Sequence, residues 1–136
     1  MIRPVPAWSL HSLKRSNSLD LDTYFDGYEA SRGIFNALRA AIDALPSTTL
    51  SVTKSQIAFR RRQAFAWAWV PAKVLRGEHA PLVLTLGLRH RDPSTRWKEI
   101  VEPAPGRFTH HMELRSPEDI DAEVRARLQE AWAEAS

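Results

Sequence analysis

Cysteine is absent from this 136-residue chain, and its absence excludes several classes of protein at once. Without a thiol, the chain has no disulfide scaffold, no thiolate zinc site and no cysteine nucleophile. Only five glycines are present, and they form no glycine-rich run of the kind that cradles phosphates in nucleotide-binding loops. The sequence therefore points away from disulfide-rich domains, cysteine-ligated zinc proteins and P-loop enzymes.

Long apolar runs are also missing, since none reaches the ~18 residues that a membrane-spanning helix needs. In the first 18 residues, Pro4, Pro6 and His11 interrupt any apolar core of a secretory signal. The hydrophobic content of 43% is too high for a disordered chain, and the length suits one domain. We expect a soluble, cytoplasmic protein with an irregular N-terminal arm at 1–19 and a single domain at 20–136.

Charge is unevenly distributed along the chain. Residues 51–115 carry twelve Lys or Arg and five Asp or Glu, whereas residues 116–136 carry two basic and six acidic groups. Three of the five tryptophans, Trp67, Trp69 and Trp97, lie in the basic segment. A positive surface that includes aromatic rings attracts anions such as nucleic acid, although solvated arginines on a strand-rich region give the same pattern.

Two amphipathic helices are predicted near the ends of the domain. Phe35, Leu38 and Ile42 recur at spacings of three and four, which favours a helix over 31–45 that ends at Pro46. A second helix is expected to start at Ser116 and to carry one apolar stripe. That stripe consists of Ile120, Val124, Leu128 and Trp132.

Four strands are predicted between these helices, at 50–60, 64–70, 81–89 and 107–115. The apolar positions are even at Leu50 and Val52 but odd at Ile57 and Phe59, which indicates a bulge or bend within 53–56. The order of elements predicts an α+β, two-layer domain with a four-stranded antiparallel sheet and both helices on one face.

The segment 90–106 is predicted to be a long connection with an embedded helical turn at 94–101. It contains Pro93, Pro103 and Pro105. Because long ordered loops often carry function, this connection is a candidate part of a site.

Four segments of the sequence resemble a known family. They are VTKSQIAFRRR at 52–62, FAW at 65–67, DPSTRWKE at 92–99 and RFTHHMEL at 107–114. Together they resemble the bacterial family catalogued as domain of unknown function 5655, over roughly residues 20–135. The resemblance implies one compact α+β domain and brings no established activity. Some members carry a Cys/His zinc ribbon that aligns with 8–18, where this chain has His11-Ser12-Leu13 without cysteine, so the resemblance implies no metal.

Three basic residues of the first strands are candidate anion contacts. Lys54 lies at the change of parity, where a bulge can direct a side chain towards a site. Arg60 and Arg62 flank the next turn and are suited to phosphate contacts. The alternative is that all three are solvated, with the arginines protecting a strand end from aggregation.

Three further candidates lie in or after the long connection. Trp97 and Lys98 pair an aromatic ring with a cation, which suits a phosphate or a planar anion, whereas Trp97 could instead fill the core. His110 lies on the apolar face of its strand and His111 on the polar face. A histidine on an apolar face is more often a structural group than a base.

The sequence predicts a non-enzymatic binding domain for an anionic ligand such as nucleic acid, with Lys54, Arg60, Arg62, Trp97, Lys98 and His110 as contacts. No cofactor and no metal are expected. One alternative is a small-molecule enzyme in which His110 acts with a nearby carboxylate such as Glu99. Another is a protein-interaction module that uses the acidic C-terminal helix or the N-terminal arm.

Overall fold

Two long helices and six strands make up the part of the chain that the computed structural model describes, residues 21–136. A further helical turn covers 21–24. The predicted arm at 1–19, including His11, lies outside the described residues. Within 21–136, no helix is long and apolar enough to cross a membrane. The elements are α1 (Glu29–Asp43), β1 (Thr49–Val52), β2 (Ile57–Arg60), β3 (Ala64–Trp69), β4 (Leu82–Leu88), β5 (Glu99–Ala104), β6 (Arg107–Leu114) and α2 (Ala122–Glu134).

The sheet confirms the α+β prediction but has six strands rather than four. All neighbours are antiparallel, in the order β1-β2-β3-β4-β6-β5. The predicted strand 50–60 is a hairpin, closed by a hydrogen bond from the Thr53 amide to the Gln56 carbonyl at 2.9 Å. Leu50 pairs with Phe59 and Val52 with Ile57. The change of parity therefore marks a turn between two strands and not a bend in one.

The other additional strand lies in the segment predicted to be a loop. No helical turn forms at 94–101; instead β5 pairs with β6 through Glu99–His111 and Ile100–His110. β5 is mostly exposed and contains Pro103, as is usual for an edge strand, which protects its free edge from further pairing. Its polar, proline-containing sequence is the reason that alternation did not identify it.

Both helices pack on the same face of the sheet. The buried side chains of α1 (Phe35, Leu38 and Ile42) and of α2 (Val124 and Leu128) join one core with the strands. The strand residues that face them are Ile57, Phe59, Ala66, Ala68, Leu82, Leu84, Leu86, Met112 and Leu114. We call this the covered face.

The alternation of large and small residues in β3 places the small ones under the helices. Ala66 and Ala68 are fully buried on the covered face, whereas Trp67 and Trp69 are half-buried on the opposite side. Phe65 joins the core because the register shifts between Phe59 and Arg60, which adds one residue to β3 at this point. Two tryptophans are thereby left on the face without helices.

The C-terminal helix starts later than predicted. Ser116 precedes a short 3-10 turn, Pro117–Asp119, in which the Asp119 carboxylate accepts hydrogen bonds from the amides of Arg115 and Ser116. α2 itself begins after Asp121, whose side chain accepts a hydrogen bond from the Val124 amide at 3.1 Å. The capping signal in the sequence therefore belongs to the turn before the helix.

Candidate functional site

His110 is a buried structural histidine in this fold. Its side chain lies on the covered face and is 0% exposed. Nε2 accepts a hydrogen bond from the Asp92 amide at 3.0 Å, and Nδ1 donates to the Phe108 carbonyl at 3.1 Å. Burial lowers the pKa of His110, so the ring is neutral at pH 7. Because both ring nitrogens have partners, the geometry does not favour His110 as an acid or base.

Trp97 and Asp92 complete the cluster around His110. Trp97 is 8% exposed, packs edge-on to the His110 ring at 4.9 Å, and donates from Nε1 to the Asp92 carboxylate at 2.8 Å. Asp92 also accepts from Arg127 of α2 at 2.8 Å. Burial alone would raise the pKa of Asp92, but hydrogen bonds from Trp97, Arg127 and Ser94 outweigh it and lower that pKa. This cluster attaches the segment before β5 to the core.

Stability is expected to fall as the pH is lowered from 7.5 to 5.5. Burial lowers the pKa of His110 and of His111 below the unfolded value of about 6.5. The unfolded chain then binds more protons, so this contribution is present above about pH 6.5 and is lost as the pH falls through that value. The free energy of unfolding, measured by urea denaturation at three pH values, should therefore be lower at pH 5.5 than at pH 7.5.

Two histidine variants check this pH dependence. His110→Asn should flatten the decrease, since it removes one of the two responsible groups. His90→Asn should steepen it, because a hydrogen bond to Glu130 raises the pKa of His90 and gives the opposite sign. A free energy of unfolding of the wild type that is constant or increases towards pH 5.5 would contradict the lowered pKa values of His110 and His111.

The predicted cations are spread over different parts of the surface. Lys54 lies in the β1–β2 turn, where it lines a groove with Tyr24 and Lys73. Arg60 and Arg62 lie at the other end of β2, and both are exposed. Lys98 lies just before β5 and pairs with Glu113 at 3.4 Å. The structure therefore does not bring the six predicted contacts into one site.

The face of the sheet opposite the helices carries polar and aromatic side chains that are accessible. Cross-strand pairing places Ala58, Trp67, Thr85, His111 and Glu99 in one row across five strands. We call this the open face. Among the described residues, neither α1 nor α2 packs on it. Its polar and aromatic side chains are thus available to a ligand.

A groove of about 280 Å³ lies at one end of the sheet. It is lined by residues of the open face and also by Ala131, Glu134 and Ala135 at the end of α2. Trp67 forms its floor, with the ring edge 3.9 Å from the position that a Cβ on Gly87 would occupy. Arg89 and Arg107 line it, and Arg60 adjoins it because its strand partner Ala64 is part of the lining. We call this the arginine groove.

A larger groove of about 670 Å³ lies at the other end of the same face. A single lysine lines it, together with three carboxylates, two histidines and an apolar wall, and we call it the carboxylate groove. The lining residues are Trp69, Pro71, Leu75, Glu78, His79, Val83, Lys98, Glu99, His111 and Glu113. Burial lowers the pKa of His111, with a smaller opposing effect of Glu99. His111 and His110 are therefore both neutral, but only the His111 ring lies at an accessible surface.

The residues that share the open face were not predicted to form a site. Trp67 and Trp69 drew attention only as members of a basic region, and Glu99 was paired with His110, although its strand neighbour is His111. The signal was present in the alternation, which puts His111 on the polar side of β6. What the sequence could not show is which strands stand next to each other, and so which polar residues share a row.

One further cluster has the composition of a metal site. His90, Glu130 and Glu134 offer ligand atoms within 4.8 Å of one another. His90 is hydrogen-bonded to Glu130 at 2.5 Å, and Arg127 lies 3.3 Å from the other Glu130 oxygen. These ion pairs already balance the Glu130 charge, so the geometry is explained without a cation.

Comparison with known proteins gives a family and no closer relative. Neither a curated protein nor a solved structure matches the chain. A family model described as a domain of unknown function matches residues 21–135, which is nearly all of the described structure. This match confirms the resemblance found in the sequence, and it carries no activity with it. The chain belongs to the DUF5655 family.

Proposed function

We propose that this domain binds single-stranded nucleic acid on the open face of its sheet. The observation that carries the proposal is the arginine groove, where the half-buried Trp67 side chain lines the same cavity as Arg89 and Arg107. Proteins that bind single strands combine cations for the backbone with aromatic rings on which bases stack. A duplex does not offer its base faces in this way, so a single strand fits the surface better.

Charge at the arginine groove supports a phosphate ligand. Arg107 and Arg60 are exposed, and neither has an ion pair with a carboxylate among the residues that the structure describes. Arg89 donates from one guanidinium nitrogen to the Glu134 carbonyl at 3.0 Å, and its amide donates to the Glu134 carboxylate at 2.9 Å. The lining therefore has two arginines and one carboxylate. Lys54 and Arg62 lie outside the groove and add to the attraction of an anion from a distance.

The two other hypotheses receive less support from the geometry. A catalytic His110 would need a free ring nitrogen, and both nitrogens are engaged inside the core. An interaction surface on α2 would need free acidic groups. Glu123 pairs with Arg96 at 3.0 Å and Glu130 pairs with His90 and Arg127, so much of that charge is already neutralised.

A salt-dependent binding titration tests the proposal. Fluorescein-labelled 12-nucleotide single strands of DNA and RNA, and a matched duplex, are titrated at 50 and 200 mM salt and followed by anisotropy. We expect the single strands to bind more tightly than the duplex and to weaken as salt rises. Each phosphate contact contributes about 0.7 to the slope of log affinity against log salt. The double variant Arg60→Ala/Arg107→Ala should therefore reduce that slope by about 1.4.

The matched control is Arg125→Ala, because Arg125 is an exposed arginine of α2 outside both grooves. It should leave affinity and slope close to those of the wild type. Absence of binding at 50 mM salt would overturn the proposal. So would a loss of binding free energy in Arg125→Ala that is half the loss in the double variant, since binding would then follow the number of charges removed and not their position.

A further inference from the structure

The carboxylate groove differs in charge from the arginine groove on the same face. Lys98 is the one lysine in its lining, against Glu78, Glu99 and Glu113. Lys98 is already paired with Glu113, which Arg115 also contacts at 3.3 Å. A phosphate would be repelled here, whereas a ligand that presents N–H donors would be attracted.

Hydrogen-bond direction defines what His111 offers to this groove. The Trp69 indole can only donate, so at 3.1 Å the Thr85 hydroxyl oxygen is the acceptor. The Thr85 hydroxyl is then free to donate its own hydrogen to His111 Nδ1, at 2.8 Å. We assign the proton of the neutral His111 ring to Nε2, because the Thr85 hydroxyl then acts as acceptor towards Trp69 and as donor towards His111. With this assignment the groove has an N–H donor that Thr85 holds in place.

Glu99 supplies the complementary acceptor beside it. Glu99 is the strand partner of His111 on the open face, and its exposed side chain has no ion pair within 21–136. A free carboxylate accepts two adjacent N–H groups in a bidentate arrangement. Trp69, Val83 and Pro71 provide apolar surface for the faces of a flat ring.

We propose that the carboxylate groove seats one base of the bound strand and selects guanine, an inference that rests on the proposed function. Guanine is the nucleobase whose Watson–Crick edge presents two adjacent donors, N1–H and the N2 amine, and these face Glu99. Its O6 and N7 acceptors face the donors of the groove, Lys98 and His111. Cytosine, uracil and adenine lack the adjacent pair of donors.

The groove is large enough for this role, because about 670 Å³ lies within the usual range of small-ligand sites. It shares the open face with the arginine groove, and Trp67 and Trp69 are alternate residues of one strand. A strand with its backbone at the arginines can therefore place a neighbouring base at Trp69. In this proposal the arginine groove attracts the backbone, and the carboxylate groove selects the base.

The test uses 12-nucleotide RNAs that are identical except at one central position, which holds guanosine, inosine, adenosine or uridine. Inosine keeps N1–H, O6 and N7 but lacks the N2 amine. Anisotropy titrations of the wild-type protein at 50 mM salt should rank guanosine about tenfold above adenosine and uridine, with inosine in between. In Glu99→Gln, which keeps one carbonyl acceptor, the difference between the guanosine and inosine strands should shrink. In Glu99→Ala the two strands should bind equally. The control Glu118→Gln, at an exposed site outside the groove, should keep the wild-type ranking.

The outcomes separate the two proposals. Equal binding of all four strands by the wild type would overturn guanine selection and leave single-strand binding in place. A guanosine preference that persists unchanged in Glu99→Gln would overturn the assignment of the base to this groove. No binding of any strand would overturn both the selection and the function on which it rests.

Discussion

Replacing Asp92 with alanine is expected to lower the free energy of unfolding by about 3 kcal/mol. The Asp92 side chain is 3% exposed and accepts hydrogen bonds from Trp97 and Arg127, both at 2.8 Å. Its removal leaves the indole N–H of a buried tryptophan without a partner and deprives Arg127 of its short ion pair. Unsatisfied buried donors and broken buried ion pairs are among the most costly single changes in a folded protein.

Urea denaturation at pH 7.5 measures this loss, and two further variants calibrate it. Asp22→Ala removes an ion pair to Arg32 in which the aspartate is 68% exposed, so it should change stability by less than about 1 kcal/mol. Asp92→Asn keeps one carbonyl acceptor for the indole and should fall between the two alanine variants. If Asp92→Ala were no more destabilising than Asp22→Ala, the cluster around His110 would not be a structural element.

The Asp92 cluster changes how the sequence motifs are interpreted. The segment DPSTRWKE looked like a functional loop because it combines an aromatic residue, cations and carboxylates. In the fold, Asp92 and Trp97 point inward to His110, and only Lys98 and Glu99 reach the open face. Residue types suited to binding are equally suited to satisfying a buried polar cluster. Whether such a residue binds a ligand or belongs to the core depends on its burial, which follows from the fold and not from the local sequence.

Periodicity predicted the elements whose two sides differ strongly. α1, β3, β4, β6 and α2 were all found, because each has one strongly apolar side or stripe that meets the common core. β5 was missed because an edge strand exposed on both faces has no apolar alternation to detect. The β1–β2 hairpin was detected as a change of parity, and antiparallel pairing is the physical reason for that change.

The candidate site was less predictable than the fold, since it depends on strand order. Lys54 and Arg60 are close in the sequence, but Lys54 lies in the turn before β2 and Arg60 lies at the other end of that strand. Arg60 and Arg107 are far apart in the sequence, yet both lie near the arginine groove, because β4 joins β3 to β6. No local pattern encodes that order. The sequence supplies the residue types of the proposed single-strand surface, and the topology brings them together.

Replacing Trp67 with alanine is expected to weaken single-strand binding by about tenfold to a hundredfold at 50 mM salt. Stacking of a base on an aromatic side chain contributes about 1–3 kcal/mol, and Trp67 is the aromatic floor of the arginine groove. Unlike the loss of an arginine, the loss of a stacking ring should leave the salt dependence nearly unchanged, because no counterion is released by an indole. Anisotropy titrations at two salt concentrations measure both quantities for one variant.

Trp67→Phe separates stacking from folding. Phenylalanine keeps a ring over Gly87 and should lose only a small part of the affinity, whereas alanine removes the platform. Both variants are checked by urea denaturation, and affinities are compared only where each is folded. Wild-type affinity in folded Trp67→Ala would show that bases do not stack on this face. An unchanged salt slope with a large loss of affinity would show that Trp67 contacts a base while the arginines contact the backbone.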